Sequence, residues 1–179
     1  MAVTSSPLTR FAQAGVSNVT RVYSIWPLSL SKLTLQDAAS LMHLMSSHTC
    51  QNLGIPRIET LAQAHRFING VGTHEQQRFA IRHQQFGLLG GVAYSRLSKS
   101  SVSDIAEINY WLAEAYRGRG VMHWAVSHLL EQLKAVGVRR VLANVLHHNL
   151  ASQSLLNQLG FTVSSELERN IVSYQLTLT

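Results

Sequence analysis

The chain has 179 residues, 46% of them apolar and 13% charged, enough to bury one core without disulfides or metals. No apolar run approaches the roughly 18 residues that a membrane helix needs, and the longest candidate, Phe86 to Tyr94, is broken by three glycines. Fifteen Lys and Arg against nine Asp and Glu leave a net charge of +6, which suits a solubilising surface, a phosphate-rich ligand or a nucleic acid and does not choose among them.

Cys50 is the only cysteine, so an internal disulfide is excluded and a reducing, cytoplasmic compartment is expected. Residues 1 to 20 lack an unbroken apolar stretch, against a secretory signal; the first acidic residue is Asp37, an acid-poor start shared by mitochondrial transit peptides and by plain tails. Loose alternation over 21 to 33 predicts a first strand. Thr34-Leu35-Gln36-Asp37 then resembles a capping box, and Ala38, Leu41, Met42 and Met45 carry helical spacing. After Gly54 and Pro56 a second helix is predicted from Thr60, burying Leu61, Ala64, Phe67 and Ile68 and ending at Gly70. Arg78 to His83, Phe86 to Leu97 and Ile105 to Ala113 read as three strands of a meander, interrupted by Gln84-Gln85 and by the Ser/Lys-rich stretch 98 to 103. Val121, Ala125, Leu129, Leu133 and Val136 predict the longest helix, stopped by Gly137. A buried-type strand over Arg140 to Leu146, a short helix over Leu150 to Leu159 and strands over 161 to 167 and 170 to 178 complete an α+β order.

Tyr110 to Met122 runs from a strand through a short turn into that long helix. Gly118 and Gly120 lack the Cβ atoms that would keep a ligand from the backbone, and successive amides at a helix start make an anion site. A tight turn before a helix is the plain alternative. The turn is neither a Walker A loop nor a Rossmann fingerprint.

Ala106 to Val121 resembles the acetyl-CoA motif of the GNAT N-acetyltransferases, Gln/Arg-x-x-Gly-x-Gly/Ala, with Arg117 and Gly120 in register and Met122 departing from the final small residue. Asn149-Leu-Ala-Ser152 followed by Gly160-Phe161 is similar to the signature of the RimJ/RimL-like branch. The resemblance implies a tail over 1 to 18 and one acetyltransferase domain over 19 to 179. Its sheet would be mixed and mostly antiparallel, of about seven strands flanked by about four helices. It also implies acetyl-CoA as cosubstrate. Backbone groups of Trp111, Leu112 and Ala113 would meet the pantetheine arm, and Arg117, Gly118, Arg119, Gly120, Val121 and Met122 would cradle the pyrophosphate.

Ser152 becomes the candidate for protonating the leaving thiolate, because Leu156 stands where many relatives carry tyrosine; capping the following helix is its alternative role. Asn149 either contacts the cofactor arm or caps that helix. Glu107 lies near the base glutamate of histone-modifying relatives, or is an exposed carboxylate paired with an arginine. Trp111 and Trp124 read as packing. The nine histidines are scattered, with adjacent His147 and His148 on opposite faces of any continuing strand, so no metal site is expected.

Nine carboxylates favour a peptide or protein N-terminus, or a small amine of modest charge, over a strongly cationic acceptor. A non-catalytic acyl-CoA-binding module and an RNA-directed acetyltransferase acting on aminoacyl-tRNA are the rival readings. No membrane partner is expected, and monomer and homodimer both remain open.

Overall fold

The computed structural model describes residues 27–70, 76–97, 104–167 and 170–179. The expected tail, the beginning of the first strand and the Ser/Lys-rich connection lie outside the described residues. Within them β1 (Leu28–Lys32), β2 (Gln76–His83), β3 (Gly87–Arg96) and β4 (Ile105–Leu112) form the expected antiparallel meander. The sheet continues through β5 (Arg140–Leu146), β7 (Ile171–Thr177) and β6 (Thr162–Leu167), in the spatial order β1-β2-β3-β4-β5-β7-β6. β4 and β5 run parallel, which the chain achieves by crossing over through a helix. The mixed seven-stranded α+β sheet is therefore as the sequence implies.

Five α-helices are described: α1 (Ala38–Leu44), α2 (Ser47–Leu53), α3 (Leu61–Asn69), α4 (Val121–Ala135) and α5 (Leu150–Gln158). The helix predicted after the Thr34 capping box is two helices, because Met45 leaves helical geometry at ψ 75°. Ser46 then starts a new helix, its Oγ accepting from Thr49 N–H at 3.1 Å. The capping box itself forms on a 3-10 turn, where Thr34 N–H donates to Asp37 Oδ2 at 2.9 Å. In α3, Thr60 and Gln63 cap each other reciprocally.

One face of the sheet is covered by α4 and α5, whose Val121, Ala125, Leu129, Leu133 and Leu156 pack on Ile108, Leu112, Val141 and Val145. Each fully buried leucine contributes about 1.5–3 kcal/mol. The other face is covered by α1 to α3, which enclose Leu41, Met45, Ala64 and Ile68 with Ala80 and Trp111. Two expectations need correction. Leu61 is 50% exposed, because it opens α3 at the solvent side of the capped turn, and Val136 is exposed because it already follows the last turn of α4.

Candidate active site

β4 and β5 pair over three residues, Ile105↔Arg140, Ala106↔Val141 and Glu107↔Leu142, and then separate. β4 continues beside β3 as far as Gly90↔Leu112, while β5 continues beside β7 as far as Leu146↔Ile171. The gap between the half-sheets starts there. Close approach by β3 keeps β4 on its side of the gap: a Cβ at Gly90 would meet the Trp111 carbonyl at 2.4 Å.

Backbone direction follows from one hydrogen bond. Ala113 N–H donates to the Leu89 carbonyl at 3.0 Å, so Ala113, and by alternation Trp111, turn their polar groups toward β3. Leu112 and Tyr110 turn theirs into the gap. Of the three residues expected to meet the pantetheine arm, Leu112 turns its amide into the gap, as Tyr110 does, while the amides of Trp111 and Ala113 face β3. The Trp111 side chain is 6% exposed beneath α1 to α3, as packing predicts.

At the head of the gap, β4 passes through a 3-10 turn at Glu114–Tyr116 into the glycine pair. Gly118 and Gly120 have φ of 69° and 76°, left-handed values that a side chain would strain. Gly120 is the N-cap of α4 and brings no side chain to its first-turn amides, and that turn carries no acidic residue. Helical N–H groups at such a start lack intrahelical acceptors, and the helix dipole favours an anion there. Exposed Arg119 stands between the glycines. Val121 is buried in the core, and Met122 lines the gap while packing against that core, so its larger side chain forms wall and leaves the turn open.

Arg117 lines the cleft and is also held by the fold. Its Nε donates to the Leu112 carbonyl at 3.2 Å, its Nη2 to Thr49 Oγ1 at 2.8 Å, and its own amide to the Glu114 carbonyl. The guanidinium thus ties the turn to α2, where Ser46 also hydrogen-bonds Glu114. That bond is the main cause holding the exposed Glu114 carboxyl below its ordinary pKa.

Asn149 caps α5, its Oδ1 accepting from Ser152 N–H at 3.3 Å, and both residues line the gap. The Tyr110 hydroxyl lies 3.5 Å from the Ser152 carbonyl, and burial pushes its pKa up to about 12. Sequence reading missed this phenol; the alternation that sets Ile108, Tyr110 and Leu112 opposite Trp111 was the signal available. Glu107 stands at the last paired position of β4, outside the gap lining, where its Oε1 accepts from Asn144 Nδ2 at 3.1 Å. Trp124 packs on the core and against His128, with ring centroids 4.5 Å apart. His147 and His148 lie in a turn beyond β5, so the continuing strand considered from the sequence does not exist.

The gap opens into a cleft of about 750 Å³ that runs from Gly118 and Gly120 between the half-sheets to Ser152 and Gln158 on α5. Its shape fits an extended ligand with an anionic head at the glycine turn and a neutral arm along β4. The family model described as an acetyltransferase (GNAT) domain matches residues 28–162, from β1 to the start of β6. The chain belongs to the GNAT acetyltransferases. It is accordingly an acyltransferase, and enzymes of this family use acetyl-CoA. No curated protein matches its sequence.

Among solved structures, this GNAT chain resembles a domain from Methanocaldococcus jannaschii, at 20% identity and TM-score 0.72 over 86% of this chain and 99% of that one. It also resembles the GNAT domain of S. lividans PAT, at 22% identity and TM-score 0.70 over 83% and 89%. A spermidine N-acetyltransferase from Vibrio cholerae, in complex with CoA and spermine, is 16% identical at TM-score 0.72 over 84% and 95%. Identities this low show a shared fold.

Proposed function

We propose that this GNAT domain transfers the acetyl group of acetyl-CoA to the primary amine of a peptide, a protein N-terminus or a small molecule. The separation of β4 from β5, headed by the glycine turn at the start of α4, carries the reading. In it the pyrophosphate rests on the amides from Gly118 to Met122, the arm follows Tyr110 and Leu112, and the Leu112 N–H polarises the thioester carbonyl. The amine nitrogen bonds to the acetyl carbon as the carbon–sulfur bond breaks. The amine gives up a proton, for which Glu107 is the candidate acceptor, and sulfur leaves as a thiolate that takes a proton from Tyr110 or Ser152. The Asn149-Leu-Ala-Ser152 segment supports placement in the RimJ/RimL-like branch. A cytoplasmic location is part of the same reading.

Incubation with acetyl-CoA and a panel of N-terminal peptides, small amines, polyamines and charged tRNA, with thiol release measured, tests it. Release with an amine, lost in Gly120→Glu, supports acetyl transfer. Tight acetyl-CoA binding without release from any acceptor would leave only a binding module.

A further inference from the structure

A second hollow of about 190 Å³ opens on the face covered by α1 to α3, and it shares Leu53, Asn109, Tyr110 and Trp111 with the acetyl-CoA cleft. A molecule held there would lie beside the point where the thioester arrives. The register explains the space. Arg78, Ala93 and Asn109 form one row across β2, β3 and β4, with Gly91 in the neighbouring row. Small side chains on β3 leave a trough about 10 Å wide between the outer two strands, roofed by Leu33, Ile55 and Phe67.

Into this mostly apolar trough projects one arginine. The Arg78 guanidinium carbon lies 4.8 Å from the centroid of the Phe67 ring. Its Nε is buried and, among the described residues, has no hydrogen-bond partner. Neighbouring Arg82 is the contrast: it bonds Ser31 Oγ at 2.7 Å and both carboxylate oxygens of Asp37 at 2.9 Å. A partly desolvated cation with no carboxylate beside it among the described residues is costly, and burial lowers the Arg78 pKa in keeping with that cost. A planar guanidinium presented from a stacked ring is well suited to a carboxylate, which it can hold through two parallel bonds.

We propose that this hollow is the acceptor site and that its substrate is a small amine carrying a carboxylate a few bonds from the nitrogen, an amino-acid-class acceptor whose carboxylate is bound by Arg78. The assignment rests on the acetyl-transfer reading above. The hollow, of about 190 Å³, has room for a residue-sized molecule. Arg78 stands at the β2 side of the hollow under Phe67, and Asn109 and Tyr110 at its β4 side, so an anion held by Arg78 leaves a nearby amine room to face β4.

The test compares thiol release from acetyl-CoA with a set of amino acids, the corresponding amino-acid amides, and peptides with an acidic second residue, for wild type, Arg78→Met and Arg78→Lys. Hydrogen bonds to a charged group are worth about 1.5–3 kcal/mol, or roughly 10–150-fold. Wild type should prefer carboxylates over amides by a factor in that range. Arg78→Met should remove the preference through a higher KM for the carboxylate with acetyl-CoA affinity unchanged, and Arg78→Lys should restore part of it. A wild-type ratio retained in Arg78→Met would make Arg78 a packing residue and overturn the inference. Release confined to peptides or to amines without a carboxylate would overturn it while leaving acetyl transfer intact. If no amine supports release, acetyl transfer itself fails, and calorimetry decides the site separately: an amino acid should bind the CoA-loaded wild type at least tenfold more tightly than Arg78→Met, and equal or absent binding sinks the proposal.

Discussion

Arg117 donates through Nη2 to the buried hydroxyl of Thr49, 68 residues away, at 2.8 Å, while its Nε holds the Leu112 carbonyl at 3.2 Å. One side chain therefore fixes the phosphate turn to both α2 and the end of β4. That leaves the backbone amides of the turn, with exposed Arg119 beside them, as the groups proposed to meet the pyrophosphate.

Arg117→Lys should destabilise the fold by about 2 kcal/mol, because an ammonium on a flexible stem cannot reach Leu112 and Thr49 together. Acetyl-CoA affinity should fall several-fold as the turn loosens. Denaturant unfolding and calorimetry check the pair. Unchanged stability with complete loss of binding would instead assign the guanidinium a direct phosphate contact.

Gly120 separates strain from charge. Its φ of 76° costs any side chain about 1–2 kcal/mol, so Gly120→Ala and Gly120→Glu should lower stability alike. Alanine should retain acetyl-CoA binding within about tenfold, since the strain is only partly expressed at the site. Glutamate should abolish binding by placing a carboxylate where the pyrophosphate rests. Calorimetry on both variants makes the comparison, and wild-type affinity in Gly120→Glu would remove the anion-site assignment.

Much of this was legible because it is local. Alternation gave the strands, helical spacing gave α4, and the Gly118 and Gly120 spacing gave the turn, each set by residues within a few positions of one another. The division of α1 from α2 escaped because Leu41 and Met45 continue the apolar pattern straight through the break, and only Ser46 marks a new start. The inward use of Arg117 depends on Thr49, 68 residues away in the chain. Arg78, Phe67 and Asn109 meet only after three strands and a helix have assembled. No spacing in the chain encodes such a meeting.

Tyr110 is expected to supply the thiolate's proton. Burial raises its pKa to about 12, so the phenol stays protonated through the neutral range. Tyr110→Phe should lower kcat by about 10², the lower end for loss of a proton donor, with little change in acetyl-CoA affinity, and Ser152→Ala should slow turnover less. Equal wild-type rates in both would leave the thiolate to solvent. The shift also has a stability consequence. The folded pKa lies above the unfolded value of about 10, so this contribution is complete below about pH 10 and is lost as the pH rises through about 12. A phenolate absorbance titration should show a late-ionising component that is lost in Tyr110→Phe.

Glu107 decides whether the acceptor amine is deprotonated by the protein. Glu107 lies on the face of the sheet that holds the hollow, one row from Asn109, and its Oε1 accepts from Asn144 Nδ2 at 3.1 Å. Glutamine can keep that bond through its own carbonyl oxygen, so Glu107→Gln preserves the shape while removing the basic oxygen pair. If the carboxylate takes the amine's proton, directly or through a water, the variant should bind acetyl-CoA normally and be slowest near neutral pH, where an alkyl amine is mainly ammonium. Raising the pH should recover part of the rate, because the acceptor then arrives deprotonated. A merely superficial carboxylate predicts otherwise: exposed polar pairs contribute about 0–1 kcal/mol, and the ratio of variant to wild-type rate would stay near one at every pH. Thiol release at saturating acetyl-CoA, followed for both proteins from neutral to alkaline pH, distinguishes the two. A flat ratio removes Glu107 from the chemistry, and a ratio that climbs with pH places it at the acceptor nitrogen.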